Sequence, residues 1–69
     1  MNNESIKYII SRIIDNANDS LKEPSDDFVK GKRLAYYEIL DTLKSELDAH
    51  EQDLKEFGLD INLEKEFLK

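Results

Sequence analysis

The strongest pattern in the chain is a stripe of positions at helical spacing in residues 26–57. They recur at steps of three, four or seven, and the segment contains no proline. That period places side chains on one face of an α-helix. It predicts one long helix over residues 26–57, about 48 Å at 1.5 Å per residue, with Gly58 as its C-terminal stop. The stripe positions are Val29, Tyr36, Leu40, Leu43, Leu47, His50, Leu54 and Phe57.

A second apolar stripe occupies residues 4–21 and predicts a shorter first helix. Its isoleucines occur in adjacent pairs and do not alternate with polar residues, which favours a helix over a strand. Asn2 or Asn3 is the expected N-cap. Pro24 breaks the helical pattern, so residues 22–25 form a turn, and Ser25 or Asp26 caps the second helix. The apolar positions are Ile6, Ile9, Ile10, Ile13, Ile14, Ala17 and Leu21.

The tail, residues 58–69, carries five apolar residues and predicts a short helix over residues 62–68. So short a helix is unstable alone, so the tail either docks on the rest of the chain or stays disordered. The short turn favours antiparallel packing of the two main helices. The predicted fold is therefore all-α: an antiparallel helical hairpin with a short first helix, a long second helix and a short C-terminal helical segment.

The first helix, about 27 Å long, covers only part of the second. The uncovered part is explained by a tail that folds back, by a break near residues 49–52, or by another chain. Heptad-like spacing favours another chain, and a 69-residue chain without cysteine benefits from a partner. We therefore predict a coiled-coil-like homodimer with a four-helix arrangement; higher oligomers remain an alternative. The predicted interface is Tyr36, Leu40, Leu43, Leu47, His50, Leu54 and Phe57.

Gly31 is the one glycine inside the second helical pattern. It costs roughly 1 kcal/mol relative to alanine in a helix. In the predicted hairpin it faces Ala17, which suggests that it permits a close approach of the two helices.

Composition argues against a metal site or an enzyme. There is no cysteine and a single histidine, so disulfides and zinc sites built on thiolates or several histidines are excluded. His50 with Glu46 and Asp53 matches no metal motif, and residues 30–33 match no phosphate loop. Residues 30–33 are better explained by pairing with Asp26, Asp27 and Asp41. No catalytic motif is present. We expect no enzyme activity, no cofactor and no metal.

The net charge is −6 and is concentrated at the end of the chain. Residues 45–69 contain eight acidic and three basic residues, a net charge of −5. Direct binding to nucleic acid or to an anionic membrane is therefore disfavoured. The first residues lack the pattern of a signal peptide, and no apolar run approaches 20 residues, so we expect a cytoplasmic protein.

Three functional hypotheses follow. The first is a protein-interaction or regulatory module, a homodimer that also binds another protein through a partner surface of Tyr8, Leu34 and Tyr37, which point away from the main stripes. The second is an acidic decoy or regulator of a nucleic-acid-binding protein. The third, ranked last, is an enzyme with a site between subunits. The negative strip of the second hypothesis comprises Glu46, Asp48, Glu51, Asp53 and Glu56.

Overall fold

The computed structural model describes residues 2–68, and all regular structure in this range is helical. Helix α1 spans Asn3–Leu21 and helix α2 spans Asp27–Ala49. A 3₁₀ turn, Leu54–Phe57, and helix α3, Leu63–Phe67, follow. The all-α prediction is confirmed. Lys69, the last residue of the predicted tail, lies outside the described residues. No helix within residues 2–68 is long and apolar enough to cross a membrane.

Each of the three α-helices begins at a side-chain cap. The Oδ1 atom of Asn2 accepts from the Ser5 amide at 2.8 Å, and that of Asp26 accepts from the Val29 amide at 2.9 Å. Asn62 accepts in the same way from the Lys65 amide. These bonds satisfy amide groups that have no partner within the first helical turn. The short polar residues therefore fix where each helix starts.

Helix α2 ends at Ala49, so the prediction of one continuous helix through Phe57 is wrong, and the alternative of a break near residues 49–52 is confirmed. After the cap residue His50, Glu51 adopts a left-handed conformation with φ 59°. Two hydrogen bonds typical of a helix C-terminus follow: the Glu51 amide donates to Asp48 O, and the Gln52 amide donates to Leu47 O. Glycine usually occupies this left-handed position. Here glutamate occupies it, so no glycine marks the end of α2 in the sequence.

The chain after α2 folds back on the two long helices. We call residues 50–68 the C-terminal segment. Leu59 is fully buried, and Phe57, Leu63 and Phe67 are at most 6% exposed. They join the buried side chains of α1 and α2 in one core, which explains why α2 stops: a straight helix would carry them away from it. The core comprises Ile10, Ala17, Leu40, Phe57, Leu59, Leu63 and Phe67.

Arg33 ties α2 to the end of α1. Its guanidinium donates to the carbonyl oxygens of Ser20 at 3.0 Å and Glu23 at 2.8 Å, and to Ser25 Oγ at 2.8 Å. The carbonyls at a helix C-terminus carry partial negative charge, so a guanidinium is well placed there. The expected pairing of this basic run with Asp26, Asp27 and Asp41 is therefore wrong for Arg33. Lys32 pairs with Glu23, in the turn after α1, at 2.9 Å.

Gly31 does not serve a close approach of α1 and α2. A Cβ atom added to Gly31 would have no neighbouring atom within 4 Å. The predicted packing role of Gly31 against Ala17 is therefore wrong, because the glycine lies on an exposed part of α2.

Candidate interaction surface

One side of α2 is covered by the C-terminal segment. Residues 60–64 lie beside Tyr37, Asp41, Lys44 and Asp48, with a groove of about 640 Å³ between them. Lys44 spans this groove, since its Nζ donates to the carbonyl oxygen of Ile61 at 2.7 Å. This hydrogen bond and the packing of α3 on α2 fix the C-terminal segment along this side.

The same segment covers one side of α1. Residues 55–58 line a shallow cleft with Lys7, Tyr8 and Ser11. Lys7 Nζ lies 3.5 Å from a carboxylate oxygen of Glu56 and 5.8 Å from the centroid of the Phe57 ring. We call these neighbouring flanks of α1 and α2 the covered side.

The opposite side of both helices is open and apolar. Successive residues of a helix are separated by about 100°, so Ile39 points away from Asp41 and Ile9 points away from Ser11. Ile39 is 47% exposed and Ile9 is 43% exposed. Three partly buried side chains lie beside them on the same flanks. We call this set the open face: Ile9, Ile13, Tyr36, Ile39 and Leu43.

The part of α2 that borders the open face carries one basic and one acidic residue. Seven positions at alternating steps of four and three form one stripe of the helix. Two of the seven are charged, Lys32 and Glu46. We call this set the α2 stripe: Phe28, Lys32, Ala35, Ile39, Thr42, Glu46 and Ala49.

The two ends of the α2 stripe differ in shape. At the start, Phe28 protrudes with 76% of its surface exposed, and Lys32 Nζ lies 5.7 Å from its ring centroid. At the other end, the start of α1 and the end of α2 enclose an apolar cleft of about 330 Å³. Its lining residues are Asn3, Ile6, Ile10, Leu43, Glu46, Leu47, His50, Gln52 and Phe57.

The structure divides the residues of the predicted interface. Leu40 and Phe57 are buried in the core of the single chain. Tyr36, Leu43, Leu47 and Leu54 are partly buried, and His50 is exposed beside Glu46, at 4.0 Å. Leu40 is thus buried within the single chain, in a core to which the C-terminal segment contributes Phe57.

Phe28, Ile9 and Ile39 are exposed, and none of them belongs to the interface or the partner surface predicted from the sequence. Ile9 and Ile10 are adjacent, which makes the apolar stripe of α1 wider than the face that one neighbouring helix covers. The width of the stripe therefore indicated a second contact surface on α1.

The three residues of the predicted partner surface do not form one patch. Tyr8 and Leu34 are exposed, on α1 and α2 respectively, whereas Tyr37 is partly buried against the C-terminal segment. Burial raises the pKa of Tyr37, and the negative charges of Asp41 and Glu64 raise it further. Tyr37 therefore belongs to the covered side.

The polar side chains of the described residues form neither a metal-ligand cluster nor a buried group without partners. Within residues 2–68, no group of three or more His, Asp or Glu side chains is placed to hold a metal ion. In the same range, no buried side-chain nitrogen or oxygen lacks a hydrogen-bond partner. The pKa of Lys32 is raised by its hydrogen bond to Glu23, an ion pair at the surface. Comparison of the chain with family models, curated proteins and solved structures finds no match.

Proposed function

We propose that this protein is a non-enzymatic protein-interaction module that acts as a homodimer, and that the open face is its self-association surface. In this proposal, α1 and α2 form an antiparallel hairpin and two hairpins pair into a four-helix arrangement. The single observation that carries the proposal is the exposure of Ile9 and Ile39 on the side that the C-terminal segment does not cover.

The size of the open side supports a dimer. The molecule measures 37 × 19 × 15 Å between Cα atoms, so one long side has an area on the order of 600 Å². A pair of such sides would bury roughly 1,200 Å² in total, the lower limit of stable protein interfaces. The surface is therefore large enough for a dimer of modest affinity.

The small core also supports association. With 69 residues and no cysteine, the chain has few internal means of stabilisation. Covering half-exposed isoleucines removes apolar surface from water, which stabilises at roughly 25 cal/mol per Å² before the cost of association is subtracted. Dimerisation would thus bury apolar side chains of the open face that the single chain leaves exposed.

The proposal is tested by molar mass measured by sedimentation equilibrium over a concentration series. The wild-type chain should approach the dimer mass as concentration rises. Ile39→Glu should remain a monomer with unchanged helical circular dichroism, because a carboxylate would be desolvated at the centre of the interface.

Leu34 supplies a matched control on the same helix. It is 46% exposed, against 47% for Ile39, but lies on a different flank of α2. Leu34→Glu should therefore dimerise like the wild type. A wild-type chain that stays monomeric throughout the series would contradict the proposal, and so would loss of the dimer in Leu34→Glu alone.

A second candidate function is the binding of a basic protein by the acidic covered side. Four carboxylates, those of Asp41, Asp48, Asp60 and Glu64, line the groove between α2 and the C-terminal segment. The earlier negative strip is less continuous, because the chain leaves the helix after Ala49 and Glu56 pairs with Lys7.

Salt dependence separates the two candidate functions. Binding of a basic partner such as polylysine to the acidic groove should weaken steeply with added salt, whereas self-association through the open face should persist. Polylysine binding that is unchanged by Asp48→Asn combined with Glu64→Gln would count against the groove.

A further inference from the structure

We infer that the second copy docks antiparallel, with the two α2 helices crossing at Ile39, Lys32 of each copy facing Glu46 of the other, and Phe28 of each entering the other's apolar cleft. The inference rests on the proposed homodimer and adds its orientation and register. It is carried by the placement of charge and shape along the α2 stripe.

The two charges of the α2 stripe are placed symmetrically about Ile39. Lys32 precedes Ile39 by seven residues and Glu46 follows it by seven, a distance of about 10 Å along the axis in each direction. A two-fold axis at Ile39 that reverses the helix direction therefore brings Lys32 opposite Glu46, twice in each dimer. The interface of a two-fold dimer is self-complementary in this way.

A parallel pairing of the same stripes would have the opposite effect. Lys32 would face Lys32 of the second copy, and Glu46 would face Glu46. Like charges brought together at an interface disfavour that arrangement.

The shapes at the two ends of the α2 stripe match in the same register. Phe28 lies eleven residues before Ile39, and the residue eleven positions after Ile39 is His50. His50 lines the cleft of about 330 Å³ together with Leu43, Leu47 and Phe57. The protruding ring at one end thus meets an apolar cleft at the other, as anchor residues do in protein interfaces.

Small and apolar residues occupy the positions between these two contacts. Ala35 lies four residues before Ile39 and Leu43 lies four residues after it, so they face one another across the two-fold axis. Thr42 and Ala49 are similarly small. Such residues let two helices approach to about 8–10 Å, the usual distance between packed helices.

Charge reversal tests the register. Lys32→Glu and Glu46→Lys should each raise the dimer dissociation constant roughly tenfold or more, because each homodimer then contains two like-charge contacts. An equimolar mixture of the two variants should recover dimerisation close to that of the wild type, since both contacts in the mixed dimer are complementary. Molar mass by sedimentation equilibrium measures all three samples.

Lys30→Glu is the matched control, because Lys30 is exposed on α2 but lies outside the stripe. Lys30→Glu alone should dimerise like the wild type, and its mixture with Glu46→Lys should contain no more dimer than the two variants give when measured separately. Charge reversal at position 32 also breaks the Lys32–Glu23 ion pair, so a second measurement reports the proximity of the two positions and not the affinity of the dimer. Since the chain has no cysteine, Lys32→Cys and Glu46→Cys can be mixed and treated with a short thiol cross-linker. The mixed dimer should cross-link more efficiently than either variant alone.

The outcomes distinguish this inference from the proposed function. If wild type dimerises and Ile39→Glu does not, but the charge-reversed mixture fails to recover, the open face is the interface and the antiparallel register is wrong. If Lys32→Cys alone cross-links more efficiently than the mixture, the register is also overturned. If the wild type is a monomer, both the homodimer and its register are overturned.

Discussion

The covered side and the open face belong to the same two helices but are completed in different ways. On the covered side, Phe57 and Leu59 from the C-terminal segment fill the space between α1 and α2. On the open face, Ile9 and Ile39 remain nearly half exposed. An apolar stripe along a helix therefore indicates that another element packs against it, but it does not show whether that element belongs to the same chain or to a second one. Substitutions on the two sides should therefore differ in effect, and most strongly where a side chain of the covered side is buried.

Phe57→Ala should cause the greatest loss of stability. Removing a buried phenylalanine side chain costs about 3–5 kcal/mol, comparable to what the core of so small a chain supplies, so we expect most of the protein to be unfolded. Ile39→Ala, measured at low protein concentration, should change the free energy of unfolding by about 0.5 kcal/mol or less. Urea denaturation measures both variants. Equal losses would mean that the two sides contribute alike.

Arg33→Lys should reduce stability by about 2 kcal/mol, because hydrogen bonds from a charged group contribute about 1.5–3 kcal/mol and lysine cannot reproduce the guanidinium fork. The bonds at risk reach Ser20, Glu23 and Ser25. Thermal unfolding followed by circular dichroism measures the change. Arg12→Lys is the control, since Arg12 is exposed on α1. A similar shift in both variants would indicate a general effect of removing arginine.

Gly58→Ala should destabilise the covered side by about 1–2 kcal/mol. Gly58 has φ 73°, and an L-residue with a side chain pays roughly that cost in the left-handed conformation. The added Cβ would also lie 3.4 Å from Ile14 Cδ1. Chemical denaturation measures the loss. Unchanged stability would show that the turn after Phe57 has another conformation in solution.

Gly31→Ala should have the opposite sign and stabilise the chain by about 0.8–1.0 kcal/mol, the difference in helix propensity between the two residues. A Cβ atom at position 31 meets no neighbouring atom within 4 Å. The same denaturation experiment applies. A loss of stability would restore the packing role that the sequence suggested.

The smallest effect concerns Tyr37 at alkaline pH. Its folded-state pKa is raised from 10.0, first by burial and then by Asp41 and Glu64. A raised pKa contributes stability that is complete below pH 10 and is lost as pH rises through the folded-state value. Tyr37→Phe should therefore lose less stability than the wild type above pH 10. Urea denaturation on both sides of pH 10 measures this difference, and parallel pH curves would contradict it.

The sequence predicted the starts of the helices well and the end of α2 poorly. Asn2 and Asp26 are among the caps expected from the sequence, and each accepts an amide hydrogen bond from its helix, as Asn62 does at the start of α3. The end of α2 depends on Glu51, a glutamate in a conformation that usually favours glycine. A local rule therefore predicts continuation at this position, whereas burial of the C-terminal segment selects the stop.

Local sequence patterns are also insufficient to predict the candidate interaction surface. The stripe from Tyr36 to Phe57 keeps its spacing across the helix end, so its period continues although the helix does not. Periodicity alone cannot show whether Phe57 covers its own chain or a partner. Arg33 is a further case, because its partners are backbone carbonyls at the end of α1, and these are not encoded by any side-chain pattern.

By itself, the sequence determined the all-helical class, the capped helix starts and the break at Pro24, because each depends on residues within one or two turns of the position concerned. The tertiary structure decided where α2 ends, which side of α1 and α2 the C-terminal segment covers, and which isoleucines stay exposed. Those outcomes depend on burial among residues distant in the chain, since Phe57 and Leu59 gain more by joining the core with Ile10 and Leu40 than by continuing a solvated helix.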